Sequence, residues 1–144
     1  MRISTKGRYA LRLMIDLAMN RNGEMVRIRE IAERQHISEK YLEQIISVLK
    51  KAGYVRSFRG AQGGYQLTKE PREYTVGMIF RLTEGNMAPV ACLEDENNLC
   101  EKANQCVSLR LWNMLNESIN HVIDNVTLQD MVEWEMENVN NYVI

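Results

Sequence analysis

Periodicity, punctuation and charge together mark this chain of 144 residues as mainly α: a winged helix-turn-helix domain with a small two-stranded wing, then a long C-terminal dimerisation helix. Apolar residues recur at helical spacing in three successive stretches of the first half. A glycine-rich tip between two short β-like runs follows the third. Charge is divided unevenly: residues 1–72 hold 15 basic and 7 acidic side chains, residues 73–144 hold 3 and 12. The net charge of −1 therefore conceals one half suited to a polyanion and one that would repel it. The same polarity would also let the two halves attract each other as solvated faces.

Ser4 and Thr5 can cap a first helix over 4–20, in which Tyr9, Ala10, Leu13, Met14, Leu17 and Ala18 form one apolar face; Asn20-Arg21-Asn22-Gly23 ends it. Met25-Val26-Arg27 reads as a short extended lead into a second helix, 28–35, with Ile28, Ile31 and Ala32 on one side. His36-Ile37-Ser38 breaks the pattern, with His36 where a glycine is usual. Ser38 caps a third helix, Glu39 to Ala52, whose Leu42, Ile45, Ile46 and Leu49 face inward and which stops at Gly53. Short helix, three-residue turn and longer helix is the helix-turn-helix layout, and small Ala32 lets the two helices cross closely. Helical pairs in proteins that bind no DNA share that pattern, so the next segment carries the argument. Tyr54-Val55-Arg56-Ser57-Phe58 and Tyr65-Gln66-Leu67-Thr68 flank Arg59-Gly60-Ala61-Gln62-Gly63-Gly64, a basic hairpin that completes a winged helix. Because the glycines lie between strands and open no helix, a nucleotide-cradling loop is disfavoured.

On this frame the partner is a double-stranded DNA operator. The third helix enters the major groove by its first turns, where Ser38, Lys40, Tyr41 and Gln44 can reach phosphates or base edges. Glu43 is repelled by phosphate; it either meets a cytosine amino group or penalises wrong sites, or it pairs with Lys40 within the helix or is simply solvated. In the wing, Arg56 and Arg59 supply charge, and Gly60, Gly63 and Gly64 serve the turn and let the backbone approach phosphate. Arg59 either reads an A·T-narrowed minor groove or contacts phosphate alone.

The winged-helix domain spans residues 1–85, a cysteine-bearing sensor loop 86–106, and a C-terminal region 107–144. Residues 75–85 form a short helix that closes the domain. Leu111, Leu115, Ile119 and Val122 mark a helix of some 18 residues ending near Asp124-Asn125, and Thr127 caps a last, short acidic helix from Leu128 to about Glu137. The long apolar stripe needs cover, from a second copy in a homodimer or from its own N-terminal domain. Two winged helices in a dimer would read a palindrome. No apolar run reaches the roughly 20 residues of a membrane span, and a cytoplasmic address is expected.

Cys92, Cys100 and Cys106 form C-x(7)-C-x(5)-C in the loop. Three thiolates can meet on a soft metal, but paired close cysteines are missing, so metal or cluster ligation, redox chemistry and chance all remain open.

Taken together, Met1-Arg2-Ile3-Ser4-Thr5-Lys6-Gly7-Arg8-Tyr9-Ala10, the helix pair through Tyr41-Leu42-Glu43-Gln44, the wing Arg59-Gly60-Ala61-Gln62-Gly63-Gly64-Tyr65, and the three-cysteine loop before Leu111-Trp112 resemble the Rrf-type winged-helix regulators of bacteria. These are the IscR- and NsrR-like iron–sulfur and nitric-oxide-responsive repressors. The resemblance covers residues 1–135 and implies a homodimeric DNA-binding regulator, not an enzyme, whose Cys92, Cys100 and Cys106 hold an iron–sulfur cluster, [2Fe-2S] in the IscR branch, with [4Fe-4S] or none as alternatives. Two positions depart from it: Leu109 stands where IscR-like members place a fourth-ligand histidine, and Arg8 where some relatives place an acid. The fourth ligand is thus unassigned: His121 lies too far along its helix to serve within its own subunit, while Glu94, Asp95, Glu96, Glu101, water or an exogenous thiol are near enough. The leading reading is a repressor sensing cluster, redox or nitric oxide status. The alternatives are a DNA-binding regulator of cysteine metabolism or thiol stress, controlled by a protein partner or by thiol oxidation, and an iron–sulfur carrier, which the basic first half argues against.

Overall fold

A computed structural model describes residues 2–21 and 25–142; the helix end expected at Asn22-Gly23 lies outside them. The chain runs α1 (Thr5–Met19), α2 (Ile28–Gln35), α3 (Glu39–Lys51), β1 (Val55–Phe58), β2 (Gly64–Leu67), α4 (Val76–Glu84), α5 (Ser108–Asn125) and α6 (Leu128–Tyr142), with single 3-10 turns at Pro71–Glu73, Ala91–Leu93 and Ala103–Gln105. This is the winged helix-turn-helix expected from the sequence. β1 and β2 pair antiparallel in the register Val55 to Leu67 and Phe58 to Gly64. Val26 adds a bridge to Tyr65, so the short lead before α2 becomes a third rung of the wing.

One core joins Leu13, Met14 and Leu17 of α1, Ile31 of α2, Leu42, Ile45 and Leu49 of α3, Val55 and Leu67 of the wing, and Ile79 of α4. Each such side chain contributes about 1.5–3 kcal/mol by leaving water. Leu128, the first residue of α6, is fully buried among them. Tyr74 ties the wing's base to this core. Its ring is fully buried, its hydroxyl donates to the Tyr54 carbonyl at 2.8 Å, and it accepts from the Thr68 and Lys69 amides at 3.2 and 3.1 Å.

A smaller cluster of Val76, Met87 and Ile123 attaches α5 to α4. Gly77 permits the approach, since a Cβ there would lie 2.3 Å from Asp124 Oδ1. Across the same junction Arg81 donates to both carboxylate oxygens of Asp124, at 2.5 and 2.9 Å. Ile119 packs into this junction, whereas Leu111, Leu115 and Val122 stay exposed at 51%, 41% and 58%. The apolar residues of α5 are thus divided between an inward and an outward face.

α6 runs to Tyr142, well past the Glu137 expected, because no Gly or Pro follows Pro89 and nothing in the acidic stretch breaks a helix. Asp130 and Thr127 cap it reciprocally: the Thr127 amide donates to Asp130 Oδ2 and the Asp130 amide to Thr127 Oγ1. The chain exposes 9858 Å², against roughly 7,650 Å² for a compact monomer of its mass. Exposed large apolar side chains include Leu111, Met114, Leu115 and Val122 of α5 and Trp134, Met136 and Val139 of α6.

Candidate nucleic-acid interface

The turn between α2 and α3 sets how α3 is presented. His36 takes the left-handed conformation, φ 54 and ψ 46, at the position where a glycine is usual. Behind it Asp16, nearly buried on α1, accepts from Arg34 at 2.8 and 3.1 Å and from the Gln35 amide at 2.9 Å, which fixes the end of α2 against α1. The hydrogen bond to Asp16 also raises the pKa of Arg34 above its ordinary value. Ser38 caps α3, its hydroxyl accepting from the Tyr41 amide at 3.2 Å.

From that start α3 turns Leu42, Ile45, Ile46 and Leu49 inward and leaves Ser38, Lys40, Glu43 and Gln44 exposed. Tyr41 behaves differently. It is half-buried, edge-on to Tyr9 of α1 with ring centroids 5.7 Å apart, so only part of its ring remains for a ligand. No ion pair joins Glu43 to Lys40 among the described residues; the i,i+4 pair found is Arg29 with Glu33 on α2.

The wing is pinned to the helices at two points. Lys50 Nζ, in the last turn of α3, donates to Ser57 Oγ at 2.8 Å, and Arg27, just before α2, donates to the Ala61 carbonyl at the tip. Arg56 is spent within the wing, donating to Gln66 Oε1 at 2.7 and 3.1 Å and lying over the Phe58 ring. Arg59 is exposed at the tip's base. The three glycines have separate tasks. Gly60 has φ 109 with open space around it, while a Cβ at Gly63 would sit 2.2 Å from the Phe58 carbonyl oxygen and one at Gly64 2.6 Å from that of Val26. Gly63 and Gly64 are thus demanded by packing of the chain on itself. Arg27, Lys50 and Arg59 line one groove with Phe58 and Tyr65 between wing and helices. Arg27 and Lys50 were not singled out from sequence; their signal is a cation directly before α2 and another in the last turn of α3.

The cysteine loop begins where α4 ends. Cys92 is half-buried in the 3-10 turn that packs against α5, and Cys100 and Cys106 are exposed; all three are free thiols. Among the described residues no group of three or more His, Cys, Asp or Glu side chains converges as metal ligands would. The donor chemistry suits a soft metal, but Leu109 offers no donor, and holding an iron–sulfur cluster would require a different arrangement of this loop.

The fold agrees with the likeness to known proteins. The Rrf2 family model, described as an iron-dependent transcriptional regulator, matches residues 3–134. The chain belongs to the Rrf2 family. The transcriptional regulator CymR of Bacillus subtilis is 42% identical over 134 residues, 93% of this chain and 91% of that protein. IscR of Pectobacterium atrosepticum is 38% identical over 132 residues, 92% of this chain and 79% of that protein. Among solved structures, that of CymR, called there the global cysteine regulator of B. subtilis, superimposes with a TM-score of 0.78 over 93% of this chain and 98% of that one. T. potens IscR does so with 0.76 at 41% identity, over 96% and 90%. As an Rrf2 member this chain is a DNA-binding transcriptional regulator, consistent with a role other than catalysis. No described helix is long and apolar enough to cross a membrane.

Proposed function

We propose that this Rrf2 protein is a homodimeric repressor that binds a palindromic operator through α3 and the wing, in the cytoplasm, and answers to thiol status through its cysteine loop. The supporting observation is the exposed polar edge of α3, with Lys40, Glu43 and Gln44, standing beside a groove lined by Arg27, Lys50 and Arg59. Ser38, Tyr41, Arg56, Gly60, Gly63 and Gly64 complete or shape that surface. The exposed apolar residues of α5 supply the face for a second copy. Cysteine metabolism or thiol stress is the favoured signal, because the loop carries exposed Cys100 and Cys106 as free thiols and a 42%-identical relative is called a cysteine regulator.

A second reading keeps the operator and places an iron–sulfur cluster, [2Fe-2S] or [4Fe-4S], on Cys92, Cys100 and Cys106. It is favoured by three free thiols within one short loop, and it requires the loop to refold and a fourth donor to be found. Anaerobic purification with iron and sulfide analysis separates the two. Iron and sulfide that disappear in Cys92→Ala, Cys100→Ala or Cys106→Ala establish the cluster. Iron-free protein whose DNA affinity changes on mild peroxide treatment, and does not in the Cys100→Ser/Cys106→Ser double variant, supports thiol sensing. Iron-free protein indifferent to oxidation removes both.

A further inference from the structure

The elements behind the recognition surface contain a chain of contacts that the DNA-facing residues do not explain. Arg12, exposed on α1, makes three interactions at once. Its Nε donates to Gln35 Oε1 at 3.1 Å, its Nη2 donates to the Gln35 backbone carbonyl, and its guanidinium lies 5.3 Å from the centroid of the Tyr9 ring. Tyr9 in turn meets Tyr41 edge-on at 5.7 Å with the planes at 83°. Gln35 is the last residue of α2, immediately before the left-handed His36, and its side-chain amide is also held by Asp16 at 2.9 Å.

The Gln35 carbonyl belongs to the last turn of α2, where carbonyls lack partners within the helix. Arg12 supplies one and adds positive charge at the negative end of the helix. The same guanidinium backs the ring that supports Tyr41, in the first turn of α3. One residue therefore bridges the two sides of the turn, the end of α2 directly and the start of α3 through Tyr9. An arginine is suited to this where a lysine is not, because its planar fork can donate to two acceptors while its face stacks on an aromatic ring.

We infer that Arg12 is a specificity-determining positioning residue: it fixes the angle at which α3 is presented to base edges without itself contacting DNA. Sequence discrimination by bidentate contacts depends on orientation, whereas attraction to phosphate tolerates small rotations. Loosening the Arg12–Tyr9–Tyr41 stack therefore lowers affinity for the right sequence and spares affinity for the wrong one. The inference rests on α3 being the helix that reads the groove.

The test uses the full-length protein, the best duplex recovered from a randomised pool by the parent, and a random-sequence duplex of equal length. Arg12→Ala and Arg12→Lys should each weaken binding to the selected duplex about tenfold, leave the random duplex within about twofold, and keep the parent's dependence of log affinity on log salt. Tyr9→Leu should produce the same loss, and the Arg12→Ala/Tyr9→Leu pair no more than either alone. Equal losses on both duplexes with a salt slope lower by about 0.9 would make Arg12 a phosphate contact and overturn the inference. So would parent-like discrimination in Arg12→Lys, which would reduce its role to charge. Gln44→Ala is the control for the underlying reading: if it leaves the selected-to-random ratio unchanged, α3 is not the reading helix, and the failure lies there.

Discussion

His36 shows what a single residue costs and tolerates. A side chain held at φ 54 sacrifices about 1–2 kcal/mol relative to the right-handed region. Glycine avoids that penalty but loses more freedom on folding, roughly 0.4–1 kcal/mol. His36→Gly is therefore expected to raise unfolding free energy by about 0.5–1 kcal/mol, read from the shift of a urea midpoint with unchanged slope. At Gln44 the effect is on recognition. Gln44→Ala should cost about 1–3 kcal/mol on a selected operator and relax preference at one base pair, measured by binding to single-base operator variants. Much at this scale was legible in the sequence: Ser38 as cap, the inward Leu42, Ile45 and Leu49, and the outward Lys40 and Gln44 all follow from helical spacing. Helical spacing left Tyr41 between the apolar face and the surface, and its edge-on contact with Tyr9 of another helix leaves no local signal.

Between elements, the α4–α5 junction is held by ions as well as by apolar contact. The hydrogen bonds from Arg81 keep the Asp124 carboxyl below its ordinary 3.8 and raise Arg81 above its ordinary value. A carboxyl whose folded pKa is depressed adds stability that is present above its unfolded pKa and disappears as pH falls through the folded one. The melting temperature of the parent should accordingly fall more steeply below about pH 4 than that of Asp124→Asn, the two converging in acid and differing at neutral pH. The Glu70 carboxylate, lowered by hydrogen bonds from Arg21, behaves in the same direction but sits in water at the wing's base. The wing offers a second check. Arg59→Ala should weaken binding about tenfold to operators with A·T-rich flanks and less to G·C-flanked ones; equal losses would leave Arg59 as a phosphate contact. Strands, turn and helices could be placed from sequence because their signals are local. The third wing rung at Val26 and the length of α6 could not, since the first depends on tertiary pairing and the second on the absence of any breaker.

At the scale of the whole molecule, the outward apolar face of α5 is the feature that a second copy would cover. Leu111, Leu115 and Val122 are too exposed in the protomer to be needed for its folding, yet three large aliphatic side chains along one helix are costly to leave in water. Leu115→Asp should weaken dimerisation about 100-fold in sedimentation equilibrium while leaving the helical circular dichroism intact. The sequence shows a long apolar stripe that needs cover, from a second copy or from the chain's own N-terminal domain. Its division, Ile119 inward and Leu115 outward, is not visible there, because both positions satisfy the same period and only the placement of α4 separates them. The cysteine loop stays open at this scale: a segment without periodicity carries no information about which of its side chains meet, and among the described residues Cys92, Cys100 and Cys106 do not form a ligand group within the protomer.

Binding as a dimer that presents two copies of α3 and the wing to one operator can be checked by sequencing the duplexes this protein retains from a randomised pool. It predicts an inverted repeat whose half-sites are separated by one helical turn, about 34–36 Å, or a multiple of it, with enriched A·T pairs at the flanks met by the wing. Enrichment of a single unrepeated half-site, or of no sequence at all, would contradict it.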